Sequence, residues 1–143
     1  MSKNAIAYVD GCFNKDTKVY GSGVVLRIDG QDKQELSIDG NDPEIAKSWQ
    51  IGGELIAAIA AINICIANKV ENLDLYYDYT GIYEWVKPVK PWKAKNNLTR
   101  DYQSTVNKAK KTINIRFHKV AAHTGVEDNE RADRLSKDAA GIA

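Results

Sequence analysis

The chain is sparing with the residues that usually mark a special chemistry. Of its 143 residues only two are cysteines and two are histidines. Cys12 and Cys65 lie in apolar surroundings without metal-ligand spacing, so they read as buried free thiols of a cytosolic protein. Neither sign of charge dominates: 20 Lys and Arg against 19 Asp and Glu leave a formal net charge of +1. The molecule as a whole does not attract polyanions, and any nucleic-acid binding has to come from a local patch. Long apolar runs are missing as well. The opening MSKNAIAYVDG lacks the hydrophobic core of a signal peptide, and no run is expected to be long enough to span a bilayer. There is no internal repeat and no low-complexity segment. What remains, 43% hydrophobic and 27% charged, describes one soluble, cytoplasmic domain over residues 1–143, large enough to bury a core.

The residues that are present alternate in readable ways. AIAYVDGCF (5–13) predicts a buried strand, VYGSGVVLRI (19–28) a second strand returning antiparallel, and KQELSID (33–39) a third. GNDPEIAKSW reads as a loop. Residues 52–69 place Leu55, Ala58, Ile59, Ile62 and Ile66 at helical spacing on a helix apolar on its other faces too, which has to pack deeply against a sheet. NLDLYYD (72–78) predicts a strand and TGIYEWV a short helix that Pro88 stops. KPVKPWKAKNN is a loop rich in proline and lysine. Residues 99–111 predict a helix, 113–120 a strand and 126–140 the last helix. A meander of three strands followed by alternating helices and strands predicts an α/β fold of the mixed α+β kind, a sheet with helices on its faces.

Four carboxylates stand in awkward places. Asp10 interrupts an apolar strand, where burial without a partner is costly, although Gly11 after it also suits a hydrogen-bonded turn. Glu54 follows two glycines at the start of the most apolar helix, where a negative charge equally suits a helix N-terminus. Asp78 ends a strand before a helix, a position N-capping also explains. Asp133 lies beside Ala132 and Leu135, near an apolar seam, and an exposed charge fits there too. If the strands from 5 and 72 are parallel neighbours, Asp10 and Asp78 meet at the carboxyl end of the sheet, where sites form in open sheets. Carboxylates converging there repel one another unless cations hold them, and magnesium prefers such oxygen ligands. Two ions about 4 Å apart are able to activate a water and stabilise a leaving oxygen in phosphodiester hydrolysis.

The stretch AHTGVEDNERAD (122–133) gathers a histidine and four acids where the last helix begins. Helix chemistry accounts for part of it, since first-turn acids complement the macrodipole and Thr124 or Glu127 can start the helix. Together, YVDGCF, GGELIAAIAAI, LYYDYTGI and AHTGVEDNERAD, in this order and at these separations, resemble type 1 ribonuclease H over about residues 5–140. The resemblance implies a ribonuclease H-like fold, a five-stranded mixed sheet flanked by helices. It implies metal-binding catalytic acids at Asp10, Glu54, Asp78 and Asp133, and a mobile catalytic histidine at His123 that assists proton movement and product departure. It further implies two Mg²⁺ ions in the substrate complex, with Mn²⁺ as a substitute. The implied activity is endonucleolytic cleavage of the RNA strand of RNA/DNA hybrids, leaving a 5′-phosphate and a 3′-hydroxyl.

An RNA/DNA hybrid shows 2′-hydroxyls on one strand of a wide minor groove, which lets a protein tell RNA from DNA. Backbone groups at Gly11 and Cys12 are the candidates for that contact, and Thr80 stands where many relatives place a polar amide. Cys12 replaces the usual serine, and Ile51 and Gly52 supply no asparagine. Lys87, Lys90, Lys93 and Lys95 with Trp92 are candidates to grip DNA phosphates without base specificity, though a solvated surface loop fits as well. Asn129, one turn before Asp133, is a candidate to orient a metal ligand by hydrogen bonding. His118 matches no motif and is expected to be a strand residue without catalytic importance. The resemblance includes no separate hybrid-binding domain, no membrane contact and no obligate protein partner, and the chain is expected to be monomeric. Two other readings stand beside it: another metal-dependent nuclease of the same fold, such as an integrase or junction resolvase, and a non-catalytic nucleic-acid-binding module.

Overall fold

The protein is described by a computed structural model covering residues 2–121 and 126–143. Its centre is a five-stranded mixed sheet in the order β3-β2-β1-β4-β5. Strands β1 (Asn4–Asn14), β2 (Val19–Ile28) and β3 (Gln34–Gly40) form an antiparallel meander. Strands β4 (Asn72–Tyr77) and β5 (Asn114–Lys119) then add in parallel beyond β1. The expected architecture, a mixed sheet flanked by helices, is what forms.

Alternation along the strands decides which helix covers which face. Ala5, Ala7, Val9, Val24, Leu26, Leu73 and Leu75 join one large core under helix α2 (Gln50–Ala67) and helix α4 (Asn97–Ala109). Tyr8 and Val25 point the other way and meet Ala132 and Leu135 of helix α5 (Glu127–Ala140). Arg27 clamps α5 to the sheet through a two-pronged contact with Asp128 at 2.8 and 3.1 Å, and Arg131 does the same with Glu35. Helix α4 opens on a reciprocal cap, Asn96 accepting from the Thr99 N–H while the Thr99 hydroxyl accepts from the Asn96 N–H.

Several boundaries differ from the sequence expectation. Within GNDPEIAKSW, residues Pro43–Ala46 form a short helix, α1, because Pro43 suits a first turn and the Asp42 carboxylate accepts from the Glu44 N–H at 2.9 Å. The short helix α3 spans only Gly81–Glu84, and the chain leaves it before Pro88. Helix α2 starts at Gln50, not at the glycines, and its 18 residues with a mean hydropathy of 1.7 are long and apolar enough to cross a bilayer by length and composition. The expectation that no run reaches that length is corrected accordingly. In this fold α2 is the central core helix, with half of its residues buried. Cys65 is buried as expected, whereas Cys12 is only half-buried.

Two close approaches set the stage for the site. A Cβ on Gly11 would collide with the backbone of Gly53 and Glu54, so only glycine lets α2 descend directly onto β1. A Cβ on Gly23, the register partner of Asp10, would collide with the Ala132 carbonyl, so α5 descends equally closely on the other side. These contacts carry Glu54 and Asp133 down to the level of Asp10.

Candidate active site

Tyr8 of β1 pairs with Tyr76 of β4, and two residues further on each chain stand Asp10 and Asp78. Beyond that point β1 continues along β2 while β4 ends at Tyr77, so the strands part and leave a crevice at the carboxyl end of β4. Glu54 enters it from α2. Asp10, Glu54 and Asp78 each present a carboxylate oxygen within 4.8 Å of the others. Asp133 lines the same cavity of about 290 Å³, together with Gly11, Gln50, Ile51 and Tyr79. The four acids therefore share one cavity, three of them as a tight cluster and Asp133 at its α5 wall.

The ordinary helix explanations do not fit these positions. Glu54 sits a full turn inside α2, whose first turn carries no acid, so the N-terminal dipole is not what it serves. The N-cap of α3 is Thr80, not Asp78. Asp10 lies within a strand that runs on to Asn14 rather than in a turn. Asp133 forms an ion pair with Lys137 at 3.1 Å, one turn along α5.

Burial and crowding raise the pKa values of two of these acids. Asp10 is 8% and Glu54 3% exposed. The Asp10 carboxyl is pushed up to about 7, by burial first, then by the charge of Asp78 and by a hydrogen bond to Asp133, against the 2.9 Å hydrogen bond donated by the Gly11 N–H. Glu54 is raised well above the ordinary carboxyl range by burial and by the charges of Asp10 and Asp78. Its Oε1 is buried with no hydrogen-bond partner among the described residues. Such an oxygen is costly unless something electropositive reaches it.

The proposed substrate contacts divide. Gly11 lines the acid cavity, with its glycine face covered by α2. The Cys12 thiol is turned away onto α5, donating to the Ser136 carbonyl at 2.9 Å, and burial pushes its pKa up. The contact expected at Cys12 is one of backbone groups, which this side-chain orientation leaves open. Thr80 is exposed and stands outside the cavity lining, which includes its neighbour Tyr79. Asn129 is buried on α5, one turn before Asp133.

The lysine loop divides too. Trp92, Lys93 and Lys95 line a second cavity of about 590 Å³ with Trp85, Asn96 and Thr99. Trp85 and Trp92 meet edge to face at 5.4 Å, and Gln103 fixes both by donating to their carbonyls at 2.8 and 3.0 Å. Lys87 does not join them: it is held at 2.5 Å by Glu84 in an ion pair. Lys90, in a left-handed turn with φ of 49°, stands apart from that lining.

Three lining residues escaped the sequence reading. Gln50 and Tyr79 stand near motif acids without a motif role of their own, and Trp85 falls within TGIYEWV, expected only as a short helix. The only signal for Trp85 was a large aromatic seven residues before Trp92. His123 and Thr124 lie outside the described residues. His118, expected to be a plain strand residue, stacks on Tyr76 at 4.6 Å and reaches Asp74 at 2.7 Å.

Comparison with known proteins shows the family of the chain. The family model described as RNase H matches residues 2–141. A ribonuclease H of Rhodopseudomonas palustris is 30% identical over 148 residues, covering 95% of this chain and 88% of that protein. A ribonuclease H of Brucella ovis is 29% identical over 144 residues, with 94% and 88% covered. Among solved structures, RNase H1 from Halobacterium salinarum superposes with a TM-score of 0.74 at 19% identity, covering 98% of this chain and 99% of that one. LC11-RNase H1 in complex with an RNA/DNA hybrid superposes with a TM-score of 0.71 at 19% identity, covering 96% of each chain.

Proposed function

We propose, for a chain that belongs to the RNase H family and is a ribonuclease H, that Asp10, Glu54, Asp78 and Asp133 hold the divalent cations with which it hydrolyses the RNA strand of RNA/DNA hybrids. The observation that carries this reading is the convergence of three carboxylate oxygens within 4.8 Å, one acid having a buried oxygen with no hydrogen-bond partner among the described residues. The donor set is all oxygen and carries excess negative charge, which fits magnesium, and manganese as its substitute. When bound, the cations neutralise the clustered carboxylates and supply Lewis-acid chemistry for phosphodiester hydrolysis.

The chain's own residues do the rest. The Gly11 N–H fixes the Asp10 carboxylate, and Lys137 steadies Asp133 from one turn away. Glu54, on a rigid core helix, keeps its carboxylate in place without solvent reorganisation, the kind of preorganisation a reaction with developing charge needs. To Gly11 and Gln50, which line the cavity, we assign contact with the RNA strand. Trp85, Trp92, Lys93 and Lys95 offer aromatic faces and positive charge to the second strand. His123 is assigned proton movement and product departure on its sequence position alone.

The test is one gel. Hybrid, duplex RNA and duplex DNA are each incubated with magnesium or with chelator. Cleavage confined to the RNA strand of the hybrid, in magnesium only, with 5′-phosphate and 3′-hydroxyl ends, is the expected result. Equal cutting of duplex DNA returns the chain to a general nuclease of this fold, and no cutting of any substrate to a binding module.

A further inference from the structure

A third cavity is lined by residues that neighbour those of the acid site along the chain. Phe13 lies two residues beyond Gly11 on the same face of β1, which places it about 7 Å further along the strand. Trp49 immediately precedes Gln50, which lines the acid cavity. Phe13 and Trp49, with Lys18, Lys47 and Pro43, enclose about 390 Å³. None of these residues has a part in the site described above.

Trp49 is unusual in two respects. Its side chain is exposed although it is the largest apolar group nearby, the residue being 60% accessible. Its backbone is also in the left-handed half of conformational space, with φ of 53° and ψ of −132°, which a bulky residue rarely adopts. Backbone hydrogen bonds on both sides lock it there, the Trp49 N–H to Ala46 and the Gly52 N–H to Trp49. The turn from α1 into α2 thus holds an indole out toward solvent instead of letting it fold into the core. Lys18 also has a left-handed backbone, with φ of 62°, and borders the same space. Lys47 pairs with Glu44 across an exposed 3.1 Å contact, the kind a phosphate readily displaces.

We propose that this cavity takes an unpaired nucleotide flanking the hybrid, its base stacked on Trp49 and its phosphate met by Lys18 and Lys47. The chemistry selects that occupant. An aromatic face beside cations suits a nucleobase and its phosphate, and stacking is indifferent to sequence. Within a duplex, however, each base already has both faces covered by its neighbours. A base with a face to offer is therefore an unpaired one, at an end or in a single-stranded flank. Continuity with the acid cavity through Gln50 and along β1 places that nucleotide close to the cut. The enzyme would accordingly favour hybrids that end in a single-stranded junction over blunt ones.

This inference rests on the acid cavity being the place of cleavage, and the experiment separates the two. KM is measured for blunt hybrids and for hybrids carrying single-stranded overhangs of either polarity, with wild type, Trp49→Ala, Trp49→Phe and the pair Lys18→Glu with Lys47→Glu. Circular dichroism is recorded for each. In parallel, binding of the same fluorescently labelled hybrids is followed by anisotropy in chelator, where no cleavage is needed. The expected result is a KM and a Kd roughly 10-fold lower for one overhang polarity than for the blunt hybrid in wild type, the scale of one base stack. That ratio falls to about one in Trp49→Ala and in the lysine pair, and is partly kept in Trp49→Phe. Equal values for blunt and overhanging hybrids in wild type, or a loss of the same size on both substrates in folded Trp49→Ala, overturns the proposal. Absence of cleavage by wild type with the overhang preference still visible in anisotropy overturns the reading of the acid cavity and leaves this one standing.

Discussion

The acid cavity and the tryptophan–lysine cavity are built on opposite plans. The first draws its groups from β1, α2, β4 and α5, elements fixed by the sheet and by glycines that admit helix backbone against strand backbone. Its four acids are alike in charge; Asp10 and Glu54 are buried and held against their own electrostatic preference, while Asp78 and Asp133 are half-buried. The second is assembled from the end of α3, the loop after it and the start of α4, and its parts are held by side chain–to–carbonyl contacts such as those of Gln103. It is apolar in its walls and positive at its rim. Groups that do chemistry have to be placed to a fraction of an ångström, which packed elements supply; groups that grip a polyanion need charge and reach, which a loop supplies.

The comparison can be broken most directly at its acid side. Asp10→Asn or Asp133→Ala is expected to drop cleavage below detection while circular dichroism stays unchanged; retained turnover in either would remove that residue from the chemistry. His123→Ala should be less severe, keeping weak magnesium-dependent activity with kcat reduced by about 10²- to 10⁴-fold, the usual scale of general acid–base help. Turnover at the wild-type rate, measured on folded protein, would leave that histidine a helix-entrance residue.

The grip should respond differently. Alanine at Lys93 and Lys95 is expected to raise KM for hybrids and flatten its salt dependence, with kcat little changed, because fewer counterions are released on binding. Steady-state kinetics across a salt series checks this, and unmoved KM and slope would show that the loop is solvated surface only. The smallest effect is expected from Lys87→Ala. Its partner is Glu84, so KM should hardly move, and loss of a partly exposed pair should cost no more than about 1 kcal/mol by thermal melting.

The acid side was also the more legible one. Charged residues inside apolar strands and helices conflict with burial, and such conflicts show in the letters themselves; Asp10 and Glu54 could be singled out before any coordinates. The sheet followed from alternation, and the strand Val19–Ile28 fell where the pattern placed it. Helix starts were harder. The glycines before Glu54 look like the entrance of a helix, but they serve close backbone approach, and α2 begins upstream of them. That misreading made the macrodipole a plausible partner for Glu54. Grip residues conflict with nothing: lysines and tryptophans in a loop are ordinary surface until three-dimensional neighbours pair some, as Glu84 does Lys87, and gather others, as around Trp85. Trp49 was hidden for the same reason, since neither its left-handed backbone nor its exposure is written in its identity.

The central claim, that these carboxylates form a cation site strained in the absence of metal, is tested most directly by thermal melting of wild type and Asp10→Asn between pH 4 and 8, with chelator or with magnesium. The Asp10 carboxyl is raised from 3.8 to about 7 in the folded protein. In that window the folded state keeps a proton that the unfolded chain has released. Metal-free stability should therefore fall as pH rises from about 4 to 7 and level off above that. The account predicts this decline in wild type, its reversal by magnesium at neutral pH, and a higher metal-free melting temperature with a weaker pH slope and little magnesium response in Asp10→Asn. A wild type whose metal-free melting temperature does not fall over that range, together with an Asp10→Asn variant that melts lower, would contradict it and make Asp10 a structural residue.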